Sequence, residues 1–138
     1  MSSAITYDIV VVDTNVVSFL FKGDTRASLY GRHLDGRLQM IAAQTRAELE
    51  RWTLFHNWGN RRRVALREYL RDFVFVSADE DVCLHWAAVK NNAQRIGRPV
   101  SCEDAGIAAT ALAYDVPLVI HNPDDFRHVA NLTVIAEA

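Results

Sequence analysis

Short apolar runs and longer amphipathic stretches take turns along the chain. Residues 8–12, 38–42 (LQMIA), 73–76 (FVFV), 117–121 (PLVIH) and 132–135 (LTVI) are brief and rich in Val, Ile and Phe, the make-up of buried strands. The stretches between them, at about 16–22, 24–35, 45–58, 60–71, 79–97 and 101–115, carry helical patterns. The clearest is 101–115, where Ile107, Ala108, Ala111 and Leu112 recur at helical spacing in Ala-rich surroundings. Strands alternating with helices predict an α/β protein whose parallel sheet is covered on both faces. In open sheets of this kind ligands sit beyond the carboxyl ends of the strands.

Acids fall at such ends. The run IVVVDTNVV, 9–17, stops on Asp13 directly after four β-branched residues. LQMIAAQTRAELE leaves a strand and enters a helix, with Glu48 expected in its first turn. SCEDAGIAATAL opens a helix with Asp104, on the stripe of Ile107, Ala108 and Ala111. PLVIHNPDDF leaves the fourth strand into a turn holding Asp124 and Asp125.

Two readings compete for these acids. Thr45-x-x-Glu48 and Ser101-x-x-Asp104 match a capping box, Asn122-Pro123 matches a cap with proline at the first helical position, and Thr14 or Asn15 is placed to cap the helix after Asp13. Two details favour a metal site instead. Asp13 precedes residues that already serve as caps, and Asp104 lies on the apolar side of its helix, where an unpaired carboxylate is costly. Inward carboxylates repel one another unless protons or cations join them, and an oxygen-only donor set suits Mg²⁺ or Mn²⁺ rather than zinc.

Composition narrows the setting. The 138 residues form a single domain, 1–138, half hydrophobic and 23% charged, as in ordinary globular proteins. No apolar run approaches a membrane span, and MSSAITYD lacks the basic start and cleavage site of a signal peptide, so a cytoplasmic protein with no membrane contact is expected. Cys83 and Cys102 show no metal or redox spacing and are expected to stay reduced. The net charge is −2, but with four acids set apart in one pocket, thirteen acids face fifteen Lys and Arg. The surface around such a pocket is then compatible with a nucleic acid.

VVDTNVV, TRAELERW, EDAGIAATAL and HNPDDF, in that order, resemble the signature of PIN-domain ribonucleases, particularly VapC-type toxins, over nearly the full length. The resemblance implies a three-layer α/β/α sandwich around a central, mainly parallel sheet of about five strands. It implies a metal-dependent endoribonuclease that cleaves single-stranded regions of RNA and acts as the toxin of a toxin–antitoxin pair. Asp13, Glu48 and Asp104 match the catalytic triad; Asp125 joins them as a metal ligand, and Asn122 matches the late Asn-x-x-Asp-Phe element. Mg²⁺ (or Mn²⁺) is the implied cofactor, and a small cognate antitoxin and a second copy of the chain are the implied partners. Thr14 and Asn15 support the site by fixing the Asp13 carboxylate or touching phosphate, with capping as the alternative. Ile120 departs from the pattern, standing where relatives commonly carry Thr.

Other residues have plainer readings. In NRRRVALREYLR, Arg63, Arg67 and Arg71 share a helical face, either a solvated one or an RNA-binding rail led by Arg63 and Arg67. His121 lies beside the acids without a second His spaced for metal, and Trp52, Phe55 and Trp58 read as core or interface. A receiver domain would need adjacent acids after the first strand and a late Lys; a haloacid-dehalogenase-like phosphatase would need Asp-x-Asp. Neither is present, nor is a Gly-rich phosphate loop. The remaining rival is a catalytically inactive PIN-like module that binds RNA or a partner.

Overall fold

The computed structural model describes residues 8–137. All but Asp8 of the MSSAITYD segment lies outside them. Five strands form one sheet in the order β3-β2-β1-β4-β5, with every neighbouring pair parallel: β1 (Ile9–Val12), β2 (Leu38–Ala42), β3 (Val74–Val76), β4 (Leu118–Ile120) and β5 (Val134–Ala136). The helices are α1 (Thr14–Lys22), α2 (Ala27–Leu34), α3 (Ala43–Phe55), α4 (Asn60–Leu70), α5 (Glu80–Arg95) and α6 (Cys102–Tyr114). A 3₁₀ turn, Pro123–Asp125, follows β4.

The strands are apolar on both sides because both sides are covered. Val10, Val12, Ile41 and Val119 face one core with Tyr30, Leu34, Leu49, Leu66 and Leu70, contributed by α2, α3 and α4. Val11, Met40, Ala42, Leu118 and Ile120 face the other core, against Ile107, Ala108 and Ala111 of α6. Helix α5 packs on the outside of α6 through Val89 and Ala93. Each fully buried Val, Leu or Ile contributes roughly 1.5–3 kcal/mol through burial, so this double coverage is the main source of stability. The expected sandwich is observed.

Two boundary shifts matter for the site. The residues expected from 16 and 45 are helical already at Thr14 and Ala43, so α1 and α3 start directly at their strand ends. Helix α3 also stops early: Asn57 adopts a left-handed φ of 51°, and the Trp58 N–H closes back on the Thr53 carbonyl at 2.9 Å. Trp52 and Trp58 pack on the first core, whereas Phe55 is 70% exposed.

The chain runs outward from β1 through β2 to β3, then returns to place β4 on the other side of β1. That reversal makes the carboxyl end of β1 a topological switch point, where the connections leaving β1 and β4 diverge and open a crevice. Asp13 is the residue at that spot.

Candidate active site

Asp13 is 5% exposed, in the step between β1 and α1. It is itself the N-cap, because it is the single residue between the end of β1 and the start of α1: its Oδ1 accepts from the Val16 N–H at 2.9 Å. The expectation that Thr14 or Asn15 would cap, freeing Asp13 from that task, is therefore corrected. Burial is the main cause that pushes its carboxyl up to about 7; the Val16 and His121 backbone N–H groups oppose the shift, and the charges of Asp104 and Glu48 add to it.

Glu48 lies in the second turn of α3, not the first, and the Thr45 capping box does not form. Ala42 caps the helix without any side-chain bond. Thr45, fully buried, turns inward, and the Thr14 hydroxyl lies 3.1 Å from both the Thr45 hydroxyl and Glu48 Oε1. Thr14 thus ties the first turn of α1 to the site-facing side of α3. Burial raises the Glu48 pKa first, against its hydrogen bond from Thr14, and Asp104 and Glu103 raise it further.

Asp104 occupies the first turn of α6, where the capping reading holds: the Ser101 hydroxyl accepts from the Asp104 backbone N–H at 3.0 Å. Its half-buried carboxyl is also raised, by burial first and then by Asp125. Gly106 brings α6 beside α3; a Cβ there would stand 3.3 Å from the Gln44 Cβ. Asp125 is exposed on the 3₁₀ turn and shares an open hollow with Asp104 and Ser101, while its neighbour Asp124 pairs with Arg127 Nε at 3.1 Å. Asn122 precedes Pro123 as expected, but its side chain makes no capping bond.

The four expected acids thus gather at one end of the sheet from four separate segments. Among the described residues, no three His, Cys, Asp or Glu side chains stand close enough to grip an ion together as they are. The donors nevertheless suit a hard cation: they are carboxylates, three have raised pKa values, and among the described residues none of the four forms an ion pair with Lys, Arg or His.

Sequence reasoning missed Glu103, whose charge raises both Glu48 and Asp104 and which lines a groove with Glu48, Gln44 and Arg51. Its adjacency to Asp104 was the available signal. The inward turn of Thr45 had none. His121 is half-buried, bonded through Nδ1 to the Tyr30 hydroxyl at 2.7 Å and packed edge-on against Phe19. On the arginine face, read from sequence as either solvated or an RNA-binding rail, Arg67 bonds Glu50 at 3.2 and 3.3 Å and an Arg63 Nη reaches the Thr53 carbonyl at 3.4 Å, so both fasten α4 to α3.

The PIN domain family profile matches residues 10–132. The chain belongs to the PIN domain family. Relatives and solved structures align with this PIN domain over nearly its whole length. Ribonuclease VapC1 of Haemophilus influenzae strain R2866 is 28% identical over 127 residues, 90% of this chain and 94% of its own length. The structure of VapBC2 from Rickettsia felis, bound to a DNA fragment from the promoter, superposes with a TM-score of 0.84 at 17% identity, covering 94% of this chain and 99% of that one. VapBC-1 from nontypeable Haemophilus influenzae gives 0.79 at 24% identity, covering 93% and 97%. At these identities the superpositions show the shared fold. No helix among the described residues of this PIN domain is long and apolar enough to cross a membrane.

Proposed function

We propose that the protein is a Mg²⁺- or Mn²⁺-dependent endoribonuclease that cleaves single-stranded RNA, and that it is the toxin of a toxin–antitoxin pair. The observation that carries this reading is a buried carboxylate, Asp13, at the switch point of the sheet, with Glu48 and Asp104 near enough to raise its pKa and, among the described residues, no ion pair to offset it. The VapC1 ribonuclease relatives and the VapBC fold neighbours support the substrate and the pairing.

Asp13, Glu48, Asp104 and Asp125 would hold the ion, which lowers the pKa of bound water and offsets charge on the phosphate oxygens. The chain's own work is positional. The Val16 N–H fixes the Asp13 carboxylate at the strand end, and the Thr14 hydroxyl fixes Glu48 across from it. Ser101 anchors the turn that presents Asp104. Asn122 lines a hollow with Asp124 and Asp125, and Asn15, in the first turn of α1, would support the same site. The partners in this reading are RNA, a small antitoxin protein and a second copy of the chain, in the cytoplasm where RNA is present.

The test is cleavage of a single-stranded RNA by purified wild-type and Asp104→Asn protein, with Mg²⁺ and with excess chelator. Cleavage that requires both the metal and Asp104 is expected. Robust cleavage in chelator would refute the metal mechanism, and RNA binding without any cleavage would favour an inactive PIN-like module.

A further inference from the structure

We propose that Arg98, seated against His128, is a phosphate-binding subsite that takes an RNA phosphate flanking the one presented to the acids. The proposal rests on the nuclease reading above and adds a residue and a contact to it.

Arg98 follows Gly97, whose φ of +72° turns the chain after α5, and its backbone N–H returns to the Ala93 carbonyl at 2.9 Å. This fixes where the side chain begins. Its guanidinium Nη1 lies 2.6 Å from His128 Nε2. A guanidinium only donates, so His128 accepts there as a neutral ring and leaves the charge of Arg98 uncompensated. No carboxylate among the described residues comes within ion-pair distance of Arg98, although Arg127, next to His128 in the chain, is paired with Asp124. A held but unpaired arginine on the surface is the arrangement that recognises an oxyanion, since its planar fork matches phosphate oxygens.

The location names the oxyanion. Arg98 and His128 line the same open hollow, about 410 Å³, as Ser101, Asp104, Asp124 and Asp125. One wall is cationic and the other carries the carboxylates. A single small anion would satisfy only the first wall. A phosphodiester strand suits both once the carboxylates hold a cation, with one phosphate on Arg98 and its neighbour drawn to the ion that Asp104 and Asp125 would hold.

The rival role for Arg98 is a tie between the α5–α6 loop and the loop after the 3₁₀ turn. Arg98→Gln separates the two, since its amide N–H keeps a donor for His128 while removing the charge; Arg98→Lys keeps the charge. Binding of a fluorescent single-stranded RNA would be followed by anisotropy on Asp13→Asn protein, across a salt series, with and without each Arg98 change. Arg98→Gln is expected to weaken binding roughly fivefold, the upper range for one exposed charge pair, and to lower the slope of log affinity against log salt by about 0.7. Arg98→Lys is expected to restore most of both. Unchanged affinity and slope in Arg98→Gln would overturn the proposal, as would an absence of RNA binding by the Asp13→Asn protein. A wild type that binds RNA through Arg98 but never cleaves it would fail the nuclease reading alone.

Discussion

Helix α3 carries two glutamates, Glu48 and Glu50, whose surroundings are opposite. Glu50 accepts from Arg46 at 3.0 Å and from Arg67 at 3.2 Å, and these bonds hold its carboxyl below the usual range. Glu48 faces Thr14, Asp104 and Glu103 and, among the described residues, makes no ion pair, although Arg51 lines the same groove; burial holds its carboxyl above the usual range. Two residues of helix rotation separate a surface tie from a carboxylate kept in an unfavourable state. A helix does not need different residue types to do both; it needs the ion pairs on one side only. An acid with its counter-charge withheld is the one available to an incoming cation.

The contrast can be broken most forcefully through activity. Glu48→Gln and Asp13→Asn are each expected to lower RNA cleavage about a hundredfold or more, whereas Glu50→Gln should leave it within about twofold, measured as initial rates at saturating Mg²⁺. Equal losses from Glu48→Gln and Glu50→Gln would show that α3 integrity, and not the identity of its inward acid, governs the reaction.

The next largest effect is on stability against pH, where the two sides of the contrast have opposite signs. Asp13 has a folded pKa of about 7, above its ordinary 3.8, so its contribution is complete below pH 4 and is lost as pH rises to 7. Chelated protein should lose up to about 1.4 kcal/mol per pH unit across that window from this group. Glu50, with its pKa lowered, contributes above its ordinary value and loses that contribution as pH falls. Denaturant melts from about pH 2.5 to 8 should show Asp13→Asn flattening the stretch from pH 4 to 7 and Glu50→Gln flattening the stretch below pH 4.5. Millimolar Mg²⁺ or Mn²⁺ should raise the melting temperature of wild type most near pH 8 and leave Asp13→Asn nearly unmoved.

A smaller effect separates charge from capping within Asp13 itself. Asn caps as well as Asp, so Asp13→Ala should be less stable than Asp13→Asn by about 1 kcal/mol in urea melts with chelator. Identical stabilities would mean the Val16 bond adds nothing. The smallest effect belongs to the seam. Glu50→Gln should destabilise by about 0.2–1 kcal/mol, fading in high salt, because its partners are largely exposed. Arg67→Ala should leave the salt slope of RNA binding unchanged; a flatter slope would restore that residue to an RNA-binding face.

Much of this was legible in the sequence, for identifiable reasons. Strands buried on both faces print as unbroken apolar runs, so β1, β2 and β4 stood out, and Ala-rich α6 announced itself because it packs closely on the sheet. The acids were legible through their place after strands and at a helix start. Their local roles were not. The start of α3 at Ala43 moved Thr45 off the cap position and into the core, which no spacing rule reveals, because a Thr-x-x-Glu pattern reads the same in either register. Asp13 proved to be both cap and candidate ligand, roles treated as exclusive when only one dimension is visible. The turning of Arg63 and Arg67 onto α3 depended on the angle between two helices, which periodicity within α4 does not contain.

The scattering of the acids along the chain has a consequence for the protein's birth on the ribosome. Asp13 is synthesised about ninety residues before Asp104 and still further before Asp125, and β4, which forms one wall of the crevice beside β1, begins only at Leu118. A nascent chain halted near residue 100 holds β1, β2 and β3 but lacks α6, and with it one whole face of the sheet. The acids cannot meet in such a fragment. Whatever they do together begins only after the segments through the 3₁₀ turn have been made and the β1–β4 pair has closed, a slow step because it joins distant segments. Delayed assembly of this kind leaves the translating ribosome, itself made of RNA, beside an inert product until those later segments have folded.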